Sequence, residues 1–152
     1  MIDLAAPHLL AAALALVPAG PDARRDAGDL TCLALNVYHE ARSESGAGQA
    51  AVAHVTLNRA RARGFPGDIC GVVTQQAGGR CQFSWVCDEN PAAPDDRAAY
   101  DRALGVAARA MRGATPDPTG GATHFISAGI GAPEWARRLT ETARIGGHRF
   151  FR

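Results

Sequence analysis

Between Leu30 and Ala41 the apolar residues Leu30, Leu33, Ala34, Val37, Tyr38 and Ala41 recur at steps of three and four, the period of one buried helix face. Asp29, just ahead of them, carries the side chain of an N-cap, so the pattern predicts a helix that opens there. Ser43 to Gly48 breaks it. A second helix is predicted from Gln49 to Arg63, with Val52, Val55, Thr56 and Leu57 turned inward and Gly64 as its stop. Phe65-Pro66-Gly67-Asp68 reads as a turn whose Asp68 caps a short helix through Ile69, Val72 and Val73. After a loop from Asn90 to Pro94, the stretch Asp95 to Met111 is amphipathic, with Tyr100, Ala103, Leu104, Ala107 and Met111 inward and Gly113 ending it.

Beyond that helix the organisation changes. Asp117 to Gly121 is a turn, Ala122 to Ile126 a short strand, and Pro133 opens a helix carrying Trp135 and Leu139. Thr140 to Ile145 and His148 to Phe151 flank Gly146-Gly147 as the two strands of a hairpin. Helices followed by short strands predict an α+β, mostly helical single domain with small β-hairpin elements, over residues 30–152.

Residues 1–29 differ in texture. Leu9 to Val17 is an apolar run shorter than the roughly 20 residues that span a bilayer. With small residues near Ala19 and Gly20 it reads as an export segment, cleaved or acting as a weak anchor that touches the membrane through residues 8–17. Asp3 stands where such a segment carries a positive charge, and the alternative is an Ala-rich helix packed on the domain. Either way Pro18 to Asp29 reads as a linker.

Composition narrows the class of molecule. A chain of 152 residues that is 47% hydrophobic can build a core without a metal or a partner, and we expect a monomer. Its 16 basic and 15 acidic residues are interspersed, which argues against a nucleic-acid partner. The basic residues are all Arg, from which no function follows.

Candidate chemistry centres on Glu40. At about 100° per residue it falls beside Leu33 and Val37 on the flank of the apolar stripe, where partial desolvation raises a carboxyl pKa and suits a proton donor. A structural ion pair with Arg42 or a later Arg is the alternative. Glu44, four residues on, would lie on the same face at a rise of about 6 Å. Two carboxyls side by side on one helix do not flank a scissile bond from opposite faces, so Glu44 is read as orienting its neighbour or capping the next helix. His39-Glu40 lacks the second His of a zinc protease, whose place Ser43 occupies, and the spacing of Cys32, Cys70, Cys81 and Cys87 is not that of a zinc knuckle; no metal or cofactor is expected. In an exported protein the four cysteines form disulfides in one of three connectivities, with a bridge from the Cys81 to Cys87 segment to the helices preferred. In the cytoplasm they would be small core residues. Cys32 and His39 stand roughly two turns apart, too far to work as a nucleophile and base of an amidase or peptidase.

A second unusual stretch is Gln82-Phe83-Ser84-Trp85. Flat rings suit the apolar face of a pyranose, and amide and hydroxyl suit its polar groups; the alternative is a buried aromatic hairpin. His124, Trp135 and His148 are further candidates for a groove, or else core or rim residues.

Taken together, Cys32 to Arg42 with Tyr38-His39-Glu40-Ala41-Arg42, Gly48 to Ala53, Leu57-Asn58-Arg59, Phe65-Pro66, Ile69 to Val73, Cys81 to Trp85 with Cys87-Asp88, Gly121 to His124, and Ile145-Gly146 with His148 resemble the SleB/CwlJ family of cell-wall hydrolases. The resemblance covers Leu30 to Arg152 and implies a lysozyme-like, lytic-transglycosylase-like core that cleaves peptidoglycan glycan strands, with Glu40 as the acid. It implies cleavage between N-acetylmuramic acid and N-acetylglucosamine by one carboxyl acting as acid and then base. Tyr38, Glu44, Asn58, Gln82, Phe83, Ser84, Trp85, His124, Trp135 and His148 are the expected substrate-binding residues. Hydrolysis as a muramidase, or glycan binding without catalysis, are the alternatives. Three departures stand out: Ser43 in place of a Gly, Asp88-Glu89-Asn90 in place of an Asp-Gly turn, and the lack of a separate peptidoglycan-binding module. The last of these points away from a purely spore-bound role and toward a Gram-negative, periplasmic or phage-like enzyme of wall remodelling or lysis.

Overall fold

The computed structural model describes residues 6–88 and 93–152. Asp3, Glu89, Asn90 and most of the predicted Asn90 to Pro94 loop lie outside them. The axis of the fold is helix α2, Ala23–Ala41, and it opens well before Asp29. Asp29 does not cap it, because its Oδ1 accepts from the backbone N–H of Cys70 at 3.2 Å. The predicted linker up to Asp29 is therefore partly the opening of this helix. Ahead of it α1, Pro7–Leu14, buries Leu9 and Ala13 against the main core, which is the packed-helix alternative for the apolar run. Leu14 and Leu16 stay exposed at 42% and 44%, and among the described residues no helix is long and apolar enough to cross a membrane.

Around α2 pack α1, α3 (Gly46–Arg61), α4 (Ile69–Thr74) and α5 (Arg97–Met111). Their starts follow local chemistry. Ser45, Asp68 and Asp96 each accept a backbone N–H of the first turn, from Gly48, Gly71 and Ala99. The core they enclose holds Leu30, Leu33, Val37, Val72, Val73 and Leu104 with many alanines, and each large side chain so buried contributes about 1.5–3 kcal/mol. A disulfide between Cys32 and Cys70 ties α2 to α4.

The rest is β and loop. Strands β1 (Gln76–Ala77) and β2 (Arg80–Cys81) form a small hairpin, followed by a 3-10 turn at Ser84–Cys87. That turn returns Cys87 to Cys81, so the second disulfide closes within the segment and the expected bridge from it to the helices is not made. A three-stranded antiparallel sheet, in the order β3 (His124–Ser127), β5 (His148–Phe151), β4 (Glu141–Ile145), forms the other half of the molecule. It rests on α3 through Phe150 and Ala122 against Ala51 and Val55.

Candidate active site

Glu40 lies in the last turn of α2 and is half-buried. Burial pushes its carboxyl above the ordinary range, and the positive charge of Arg59 pulls the other way. A carboxyl that desolvation makes hold its proton more tightly has the electrostatics of a general acid.

Arg59 was not among the residues expected from the sequence. It projects from α3, is only 6% exposed, and donates from Nε to the Thr123 carbonyl at 2.6 Å. Its guanidinium lies 5.1 Å from the centre of the Phe83 ring and 5.4 Å from that of Phe65. Burial lowers its pKa to about 10, opposed by Glu40, so it remains a cation at neutral pH. Thr123 passes the connection on, its Oγ1 standing 3.0 Å from Nδ1 of His124. Burial and the Arg59 charge hold His124 below the usual histidine range, so its ring is neutral near pH 7. Trp135, 40% exposed, tilts against His124 at 5.3 Å. Arg59, Thr123, His124 and Trp135 therefore connect, in that order, from α3 to the sheet side of the molecule.

Glu44 belongs to a neighbouring arrangement. Both its carboxylate oxygens accept from the backbone N–H of Gly147, at 3.2 and 3.1 Å, and a Cβ at Gly146 or Gly147 would run into it. Nδ1 of His148 is 3.8 Å from Glu44 Oε1, and burial lowers the His148 pKa against the pull of Glu44, leaving a neutral contact near pH 7. So Glu44 seats the turn of the β4–β5 hairpin and does not pair with Glu40.

Four expected substrate contacts turn out to be committed to the fold. Tyr38 is 1% exposed, and its hydroxyl donates to Asp95 Oδ1 at 2.7 Å while accepting from Arg42. Asn58 spends its amide on Asp117 Oδ2 and the Ala122 carbonyl, both at 2.9 Å, which fastens α3 to the turn before β3. Phe83 and Trp85 are buried. Trp85 donates to Asn36 Oδ1 at 2.9 Å and stacks on His39 at 4.3 Å, so its faces are not open to a sugar. Gln82 and Ser84, on either side of Phe83, are exposed. Among the described residues no group of three His, Cys, Asp or Glu is placed to hold a metal ion.

The family model for cell wall hydrolases matches residues 43–151, a stretch that begins just past Glu40. The spore cortex-lytic enzyme of Halalkalibacterium halodurans is 34% identical over 122 residues, covering 80% of this chain and 34% of that protein. That of Bacillus cereus is 30% identical over 122 residues, covering 80% of this chain and 43% of the relative. The chain thus spans well under half the length of these curated relatives. Among solved structures, the catalytic domain of the germination-specific lytic transglycosylase SleB from Bacillus anthracis superposes with a TM-score of 0.68 at 28% identity, over 90% of this chain and all of that one. The Bacillus cereus SleB catalytic domain gives 0.62 at 28% identity, over 82% of this chain and 89% of the other. The α+β, mostly helical, lysozyme-like fold expected from the sequence is the fold of these domains. With the family model running from α3 to the last strand, over well more than half of its length, the chain belongs to the cell wall hydrolase family.

Proposed function

We propose that this chain cleaves peptidoglycan glycan strands between N-acetylmuramic acid and N-acetylglucosamine as a lytic transglycosylase, with Glu40 as its acid and base. The observation that carries the reading is the half-buried Glu40 carboxyl, raised by desolvation and faced by a buried arginine. Its proton goes to the glycosidic oxygen as the C1–O bond breaks and the electron pair leaves on that oxygen. The Glu40 carboxylate then takes the proton of the muramoyl C6 hydroxyl while O6 bonds to C1, giving a 1,6-anhydro end with no second carboxylate and no water consumed. Gln82, Ser84, His124 and Trp135 offer polar groups and one open ring to the strand, and Glu44 and His148 shape its edge through the hairpin turn. Likeness to a solved lytic transglycosylase domain supports this product over a hydrolytic one.

Residues 30–152 form the catalytic unit in this proposal. It works as a monomer in the periplasm or cell wall, where two disulfides are stable. The exposed Leu14 and Leu16 give the N-terminal helix a transient contact with membrane.

The test is to digest purified sacculi with the full chain and with Glu40→Gln, and to weigh the soluble products. Anhydro-muramic ends from the wild type, with a loss of at least about 10³-fold in the variant, are expected. Reducing muramic ends would make it a muramidase. Binding to sacculi without soluble fragments would make it a binding protein, and free peptides would overturn the glycan reading.

A further inference from the structure

The two disulfides sit in opposite surroundings. Cys32 is 1% exposed in α2 and Cys70 is half-buried, so that bond lies inside the helical body. Cys87 is exposed and Cys81 half-buried, and only 6 positions separate them. The small ring they close holds Phe83 and Trp85, both buried although Gln82 and Ser84 beside them are exposed. Little backbone pairing supports it. β1 and β2 pair over two residues each, Gln82 donates its N–H to the Gln75 carbonyl at 2.9 Å, and the 3-10 turn is 4 residues long. The grip of the ring is on α2. Trp85 Nε1 donates to Asn36 Oδ1 at 2.9 Å, Asn36 Nδ2 donates to Thr56 Oγ1 of α3 at 3.1 Å, and the indole stacks on His39 at 4.3 Å with the planes 15° apart. Asn36 and His39 share a face of α2 one turn apart, and Glu40 follows directly. The ring thus holds one rigid side chain against the helix end that carries the candidate acid.

We propose that the bond between Cys81 and Cys87 is a reducible latch on the candidate active site: exchange with a protein dithiol opens the ring, loosens Trp85 from the end of α2 and slows cleavage, and reoxidation restores the rate. In the first step a thiolate of the dithiol bonds to the exposed Cys87 sulfur, the S–S bond breaks, and its electron pair leaves on the Cys81 sulfur, which takes up a proton. The dithiol's second thiolate then attacks its own sulfur in the mixed disulfide, and Cys87 leaves and is protonated. The chain gains two electrons and two protons, and the dithiol becomes a disulfide. Access selects the bond, because attack needs an open approach to a sulfur, which Cys87 offers and Cys32 does not. Opening so short a ring returns loop entropy to the segment without untying α2 from α4, so the turn loosens while the body stays folded. The effect on rate rests on the reading of Glu40 as the acid; the selective exchange does not.

The experiment titrates the full chain with dithiothreitol, alkylates the free thiols and locates them by mass, and at each step measures release of soluble fragments from purified sacculi, with thermal unfolding as the check on folding. Cys81 and Cys87 should be labelled before Cys32 and Cys70, and fragment release should fall about 10-fold in parallel while the thermal transition is kept. Oxidised glutathione should restore it. Trp85 emission should move to longer wavelength on reduction, read in Trp135→Phe so that a single indole reports. The double variant Cys81→Ser, Cys87→Ser should start at the low rate and ignore the dithiol concentrations that open this bond alone. Labelling of Cys32 and Cys70 first or equally overturns the proposal, as does full activity with Cys81 and Cys87 already labelled. Loss of the thermal transition on opening this bond alone also overturns it, because the bond would then be a staple of the whole fold. Failure of the Glu40 reading shows separately, as activity retained in Glu40→Gln, and thiol labelling with Trp85 emission still decides whether the ring opens.

Discussion

The helical body and the β wall of this molecule are built to different standards. In the body, α2 buries eleven of its nineteen residues and is enclosed by four other helices. In the wall, β4 has no fully buried position and β3 has one, with rings such as His124, Phe125 and His148 left half-covered. Both groups that carry the strongest electrostatic case, Glu40 and Arg59, come from the body, where close packing fixes the backbone that aims them. The wall contributes half-covered rings and backbone groups. For the proposed reaction, the acid must be held still, whereas the surface that would accept the strand need not be.

The contrast can be tested first inside the helical body, at the 3-10 turn that packs on α2. Trp85→Ala removes a 6%-exposed ring and strands Asn36 Oδ1 in the core, so a loss of about 3–5 kcal/mol is expected in urea unfolding. A small stability loss with weakened glycan binding would instead return Trp85 to the groove. The next test separates the two disulfides. Cys32 and Cys70 stand 38 residues apart and Cys81 and Cys87 stand 6 apart. Loop-closure entropy then predicts losses of about 4 and about 2 kcal/mol when each pair is replaced by alanine. Equal losses would mean that the short ring supports the body as much as the long one does.

The smallest expected effect is that of acid. His124 and His148 have lowered pKa values, so their neutral forms favour the fold above about pH 6.5 and that contribution fades as pH falls. Glu40 has the opposite sign: with its pKa raised, the body gains relative stability as pH falls toward the ordinary carboxyl value. Amide protection factors, corrected for the intrinsic pH dependence of exchange, should therefore fall in β5 at pH 5 relative to pH 7.5 while those of α2 hold. Uniform change in both halves would erase the distinction.

Much of the body was legible because it obeys local rules. The three- and four-residue steps along α2, the cap at Asp68, and the two glycines of the last hairpin each act within a few residues. What could not be read depends on distant partners. Asp29 looks like a cap but is claimed by Cys70, and Trp85 looks like a sugar platform but is claimed by Asn36. Arg59 stands among Arg61 and Arg63 with nothing local to mark it, since its meaning comes from Thr123, 64 residues away. The family resemblance did quote it, within Leu57-Asn58-Arg59, and that was the one signal that could have singled it out.

The strand order β3-β5-β4 sets a timetable for synthesis. β3 and β4 each pair with β5, and β5 is the last of the three to leave the ribosome. The helices that carry Glu40 and Arg59 can collapse on one another while β3 waits for its partner, a gap on the order of seconds at ribosomal speeds. During that interval the nascent chain holds its acid on a formed helix but has no opposite wall. A blade with no anvil cannot cut, so on the proposed reading the strand order withholds the groove's far wall until β5 has been made.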